Sequence, residues 1–157
     1  MAAPDVARCE ACRTCDHNYR AGLHQLIDTP GKVGLYDIDL VLEVDGRIRA
    51  IGEYKRFAVD YQEFLVPSFE YVALKKLAKL LKVPALLIVE IVGAPGADPV
   101  YWCWLVDRFE RRRKFVRKND QVWALFRREE AKLTGESRAS LSSWLNGLVN
   151  QWRGRDG

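Results

Sequence analysis

"DIDLVLEVDGRIRAIGEYK", residues 37–55, is the stretch that decides the reading of this chain. Side chains alternate along a strand, so Ile38, Leu40, Leu42 and Val44 share one face and Asp37, Asp39, Val41 and Glu43 the other. After the Asp45-Gly46 turn, Ile48, Ala50, Gly52 and Tyr54 alternate with Arg47, Arg49, Ile51, Glu53 and Lys55. A two-residue loop would set Val44 against Arg47, an apolar face against a charged one. The pattern therefore predicts an odd-numbered loop with Gly46 in a left-handed bulge position. Asp37 and Asp39 then lie on the face of Glu53 and Lys55, close across the ladder. Carboxylates crowded in this way repel unless something compensates, and a divalent cation is the natural compensator. A merely solvated hairpin also carries charges. It gives no reason for the acids to gather far from the turn while Arg47 and Arg49 sit near it.

The 157 residues suit one domain with a real core. With 48% hydrophobic residues the chain reads as globular rather than as a disordered tail. No apolar run is long enough to span a bilayer, and "MAAPDVARCEACRTC" lacks the pattern of a signal peptide. A cytoplasmic setting is expected, in which cysteines are not first read as disulfides.

"DTPGKVG" breaks the chain before residue 35. Beyond it the order reads strand, turn, strand, a looser stretch over residues 56–68, then a helix. Phe69, Val72, Ala73, Leu77, Leu80 and Leu81 recur there at helical spacing. "PALLIVEIV", residues 84–92, reads as a strand buried on both faces, and "PVYWCWLVD", residues 99–107, as another. Leu141, Trp144, Leu145, Leu148, Val149 and Trp152 form one helical stripe, so residues 109–157 read as a basic helical part. The expectation is a single α/β domain with a mixed central sheet flanked by helices, comprising a Cys-rich segment 1–34, a core 35–108 and the part 109–157. Trp102, Trp104, Trp123, Trp144 and Trp152 fall on strand or helix stripes and read mainly as core.

The hairpin resembles the PD-(D/E)xK nuclease superfamily, of restriction-endonuclease-like fold. That superfamily carries an Asp at the start of one strand and Glu-x-Lys near the end of its hairpin partner. Here Asp39 is followed, 14 residues on, by Glu53-Tyr54-Lys55. The run is most similar to small nucleases and Holliday-junction resolvases of the superfamily, over residues 35–92. It departs from the pattern in having Ile38 before Asp39, where Pro gives the motif its name, and Gly52 before Glu53, where an apolar residue is usual. The resemblance implies a metal-dependent deoxyribonuclease in which Asp39, Glu53 and the Tyr54 carbonyl hold Mg²⁺ or Mn²⁺ through hard oxygens. Lys55 would position the attacking water, and Asp37 would bind a second metal or orient the first ligands. Gln62, Glu70 and Tyr71 fall where accessory groups often lie, without a choice among them. Many small members dimerise to cut two strands, so a homodimer is implied.

Charge is unevenly placed. Residues 106–157 carry 13 Lys/Arg against 7 Asp/Glu, whereas residues 1–105 carry 12 against 14. The densest run, "RFERRRKFVRK" (residues 108–118), points to a polyanion, with Arg111, Arg112, Arg113, Lys114, Arg117 and Lys118 as candidate DNA contacts. A solvated basic face is the plainer reading. Cys9, Cys12, Cys15 and His17 contain half a zinc site. Zn²⁺, an iron–sulfur cluster completed by Cys103, and thiols without a metal all stay open, although Cys103 within "VYWCWLV" reads as an ordinary core thiol. Two further functional readings stand beside the nuclease. One is a non-catalytic nucleic-acid-binding or assembly subunit with a structural charged hairpin. The other is an adaptor that meets a protein partner through its cysteines.

Overall fold

A computed structural model describes residues 38–107, 110 and 113–156 of the chain. The Cys-rich segment 1–34, Asp37, Arg111 and Arg112 lie outside those residues.

The hairpin forms from β1 (Leu40–Val44) and β2 (Arg47–Phe57). Its turn differs from the expected one. Val44 does face Arg47 across a two-residue loop, with Asp45 and Gly46 both at positive φ, the geometry that suits the twist of a hairpin. The phase correction comes farther along. Glu43 pairs with Ile48 and Leu42 with Ala50, leaving Arg49 as an extra residue in a bulge. Beyond it Leu40 faces Gly52 and Val41 faces Ile51.

The looser stretch contains a strand, β3 (Glu63–Pro67), which runs directly into helix α1 (Ser68–Leu81). Tyr71, Leu74 and Ala78 form the buried stripe of α1. The helix ends at Lys82, which takes the left-handed conformation, while Val83 donates its N–H back to the Ala78 carbonyl. Next come β4 (Ala85–Ile91) and β5 (Val100–Val106). Every residue of β4 is buried, as expected of a strand covered on both faces.

The expectation of a helical part over residues 109–157 is corrected. Strands β6 (Phe115–Lys118), β7 (Gln121–Arg127) and β8 (Leu133–Glu136) precede one helix, α2 (Arg138–Arg153). Asn119 and Asp120 both have positive φ and close a tight β6–β7 hairpin. Ser137 caps α2 by accepting the Ser140 N–H at 3.2 Å.

The larger sheet has the order β1-β2-β4-β5-β8, with β2 and β4 parallel and the remaining pairs antiparallel. The smaller antiparallel sheet has the order β3-β7-β6. On one side of the larger sheet, α1 and the smaller sheet bury Ile51, Leu87, Val89, Trp102 and Trp104 against Phe64, Tyr71, Leu74 and Phe126. On the other side, α2 covers Val44, Ala50 and Leu86 with Trp152 and packs along Ile88, Tyr101 and Cys103. Trp102, Trp104 and Trp152 are buried, whereas Trp123 and Trp144 are half-buried. The hairpin therefore has no fully wet face: the side bearing Glu53 is also the side of the main core. Among the described residues no helix is long and apolar enough to cross a membrane.

Candidate active site

Past the bulge, parity along β2 sends Ile51, Glu53 and Lys55 toward α1 and Gly52, Tyr54 and Arg56 toward α2. Ile51 is deep core. Glu53 lies at its margin with 6% of its surface exposed, and Lys55 is half-buried beyond it. Asp39 sits in the bend just before β1, where its Oδ2 accepts the Tyr54 N–H at 3.0 Å. This bond spends a strand-edge donor on a carboxylate and ties Asp39 to the middle of Glu53-Tyr54-Lys55. Glu70, in the first turn of α1, accepts from Lys55 Nζ, which also stands 3.9 Å from Glu53 Oε2. Of the three accessory candidates, the fold brings only Glu70 to this point. Gln62 is exposed, and the Tyr71 hydroxyl donates to Glu110.

The electrostatics follow from crowding and burial. Loss of water pushes the Glu53 carboxyl up to about 8, helped by its hydrogen bond with Asp39 and by the charges of Asp39 and Glu70. Lys55 opposes the shift without cancelling it. Glu53 thus holds a proton at neutral pH while sharing a site with another carboxyl, and a cation beside the pair would favour its release.

Gly52 has a structural reason. A Cβ there would stand 2.7 Å from the Leu86 carbonyl oxygen and 3.3 Å from Leu40 Cδ1. Its absence lets β2 approach β4 closely beside Glu53.

On the opposite face Tyr54 donates its hydroxyl to Glu90, the only buried charged residue besides Glu53 among the described residues. Arg56 Nε stands 3.9 Å from the same Glu90 oxygen. Tyr54 is thereby held twice, by its N–H and by its ring. This contact was missed in the sequence, where its signal was a lone acid inside an apolar run.

No family model, no curated protein and no solved structure matches this chain.

Among the described residues no group of three or more Asp, Glu, His or Cys side chains is placed to hold a metal ion. Asp39 and Glu53 offer two hard oxygen groups, with Glu70 drawn onto Lys55. Two carboxylates fit Mg²⁺ or Mn²⁺, ions that commonly take one or two protein carboxylates and complete their shells with water and substrate phosphate. The Cys9, Cys12, Cys15 and His17 set lies outside the described residues. Cys103 is wholly buried among Ile88, Tyr101 and Leu133. Burial, with the charge of Glu136, pushes its thiol up to about 12, a setting that suits an inert core thiol.

The basic run divides. Arg113 is withdrawn from the DNA-contact set because its guanidinium is engaged in the protein. Its Nε donates to Glu110 at 2.9 Å, Nη1 donates to the Leu125 carbonyl and to Glu130, both at 3.0 Å, and the group stacks 3.9 Å from the Phe126 ring centre. Glu110, the lone acid of the run, also takes the Tyr71 hydroxyl and, through its carbonyl, Lys75. Lys114, Arg117 and Lys118 are exposed, at or on the edge strand β6.

Proposed function

We propose that this chain is a metal-dependent nuclease of restriction-endonuclease-like fold that hydrolyses phosphodiester bonds in DNA. The observation that carries the reading is the meeting of Asp39 and Glu53 beside Lys55, at the margin of a mixed sheet whose hairpin provides all three. Asp39 and Glu53, with the Tyr54 carbonyl, would hold Mg²⁺ or Mn²⁺. The ion, when bound, supplies polarisation of the scissile phosphate and stabilisation of the charge that develops on it. The chain's own groups do the rest. The Tyr54 N–H fixes the Asp39 carboxylate, and Glu53 would serve as a ligand in its ionised form, its proton released to solvent. Lys55 Nζ, steadied by its ion pair with Glu70, orients the attacking water through hydrogen bonds. A homodimer, which the resemblance implies, belongs to the same proposal and would supply two such centres.

The second reading, a non-catalytic DNA-binding or assembly subunit, draws on the Lys55–Glu70 ion pair, which would let the charged hairpin be purely structural. The deciding experiment is cleavage of labelled linear, circular and four-way-junction DNA with Mg²⁺, Mn²⁺ or EDTA. Glu53→Ala and Lys55→Ala should each lower the metal-dependent rate by about 10²–10³-fold, as expected when a group that stabilises transition-state charge is removed. Cleavage by either variant at the parent rate would remove the assignment. Metal-independent binding without cutting would leave the second reading in its place.

A further inference from the structure

Helix α1 turns an unusual face to solvent. Opposite its buried stripe of Tyr71, Leu74 and Ala78, positions 69, 72, 76, 79 and 80 fall together at helical spacing. Two are large apolar side chains left in water, Phe69 at 65% exposure and Leu80 at 78%, and Val72 is exposed beside them. The exposed charges on this face, Lys76 and Lys79, are both cationic, and no acid interrupts them. Glu70, next to Phe69, is turned instead to Lys55.

The helix also joins two places. Its first turn reaches the candidate site through Glu70. Its C-cap residue, Lys82, lines an open cavity of about 610 Å³ at the far end. Lys132 and Arg155 stand on that cavity with Lys82, three cations against the single acid Asp107, and Leu105, Leu148 and Trp152 form apolar wall. Among the described residues no ion pair engages Lys76, Lys79, Lys82, Lys132 or Arg155. Cations alternating with bare apolar groups suit a ligand that alternates phosphate with flat apolar rings. A duplex offers phosphates but keeps its ring faces stacked inside. A single strand offers both.

The geometry points to the outer face of α1 as the binding track of a single-stranded nucleic acid, running from Glu70 at the candidate site to the cationic cavity at Lys82. This rests on the nuclease reading and gives it a substrate class: single strands, flaps or frayed ends rather than closed duplex. Bases stack on Phe69 and pack on Val72 and Leu80, while Lys76 and Lys79 accompany the phosphates between them. The cavity receives the phosphate farthest from the cut, with Trp152 and Leu148 beneath its nucleotide.

The test is fluorescence anisotropy of a labelled oligothymidine and of a duplex of equal length, in EDTA so that nothing is cut, across a salt series. The expected result is tighter binding of the single strand, weakened about tenfold by Phe69→Ala while duplex binding is unmoved. Lys76→Ala with Lys79→Ala should lower the salt slope for the single strand by about 1.4, the share of two phosphate contacts. Lys132→Ala with Arg155→Ala should weaken binding on the far side of the protein from Glu53. Phe69, Lys76 and Lys79 lie within α1, Lys132 donates its N–H to the Cys103 carbonyl and Arg155 lies in a short 3-10 turn, and unchanged thermal midpoints would exclude misfolding. Equal binding of both forms with no effect of Phe69→Ala overturns the track. So does preferential binding to phosphatidylserine-containing vesicles, the other surface an apolar–lysine face can meet. Loss of cleavage by the parent protein, with single-strand binding intact, would count against the nuclease and not against the track.

Discussion

Glu53 is the residue at which the candidate site can be probed without any substrate. Its folded-state value of about 8 lies above its ordinary 4.5, so between these pH values the folded chain holds a proton that the unfolded chain has released. Stability from this group is therefore full below about pH 4.5 and declines as pH rises through about 8, by at most about 1.4 kcal/mol per pH unit. In EDTA, urea midpoints of the parent should fall relative to those of Glu53→Gln as pH goes from 5 to 8. Parallel curves would mean that Glu53 is not held neutral. The neighbouring Gly52 makes a separate point. The sequence presents it as a departure from the apolar residue usual there, whereas the Leu86 carbonyl shows that there is no room for such a side chain. Gly52→Ala should cost about 1–3 kcal/mol in chemical denaturation, because the 2.7 Å contact is with backbone that cannot turn aside.

Among the elements, those legible in the sequence were the ones whose own pattern decides them: the hairpin, α1, the apolar β4 and β5, and the stripe of α2. The C-terminal strands were hidden for a physical reason. In Lys114–Lys118 the charges sit on an open edge, so the run reads as a charge cluster rather than as half of a hairpin. Asn119-Asp120 can adopt the left-handed turn that glycine usually marks. β3 is five residues long and ends in Pro67, which blurs it into a loop. The site was half legible by the same logic. Parity along β1 and β2 brings Asp39 and Glu53 together, but only tertiary contact selects Glu70 over Gln62 and Tyr71. Only tertiary contact, too, turns Arg113 inward while Lys114 stays out. This last division can be measured. Arg113→Ala leaves Glu110 without its ionic partner and should destabilise the fold by about 3–5 kcal/mol. Lys114→Ala, on an exposed side chain, should stay within about 0.5 kcal/mol. Similar costs for both in urea unfolding would contradict the inward role of Arg113.

At the scale of the molecule, the larger sheet is a wall with a different covering on each side, and among the described residues α2 alone covers the back. Trp152→Ala should therefore cost about 3–5 kcal/mol, as large aromatic truncations in cores do. Cys103, sealed under the same helix, should resist alkylation in the native protein and react only on unfolding, as read by peptide mapping. Labelling of Cys103 without denaturant would mean that α2 lifts off by itself. The Arg49 bulge has a consequence for how such a chain could change length over time. A strand repeats every two residues, so one extra residue is half a period. Because Arg49 is the extra residue of the bulge, a chain lacking it would close as a regular hairpin with Leu42 still facing Ala50 and Asp39 still on the side of Glu53, whereas one residue lost with the bulge kept would put the two acids on opposite sides of the wall. Gain or loss of two residues near the turn would leave the acids facing each other. Descendants of this hairpin that keep the acid pair should thus differ in length by even numbers where the bulge is kept and by odd numbers where it has been lost.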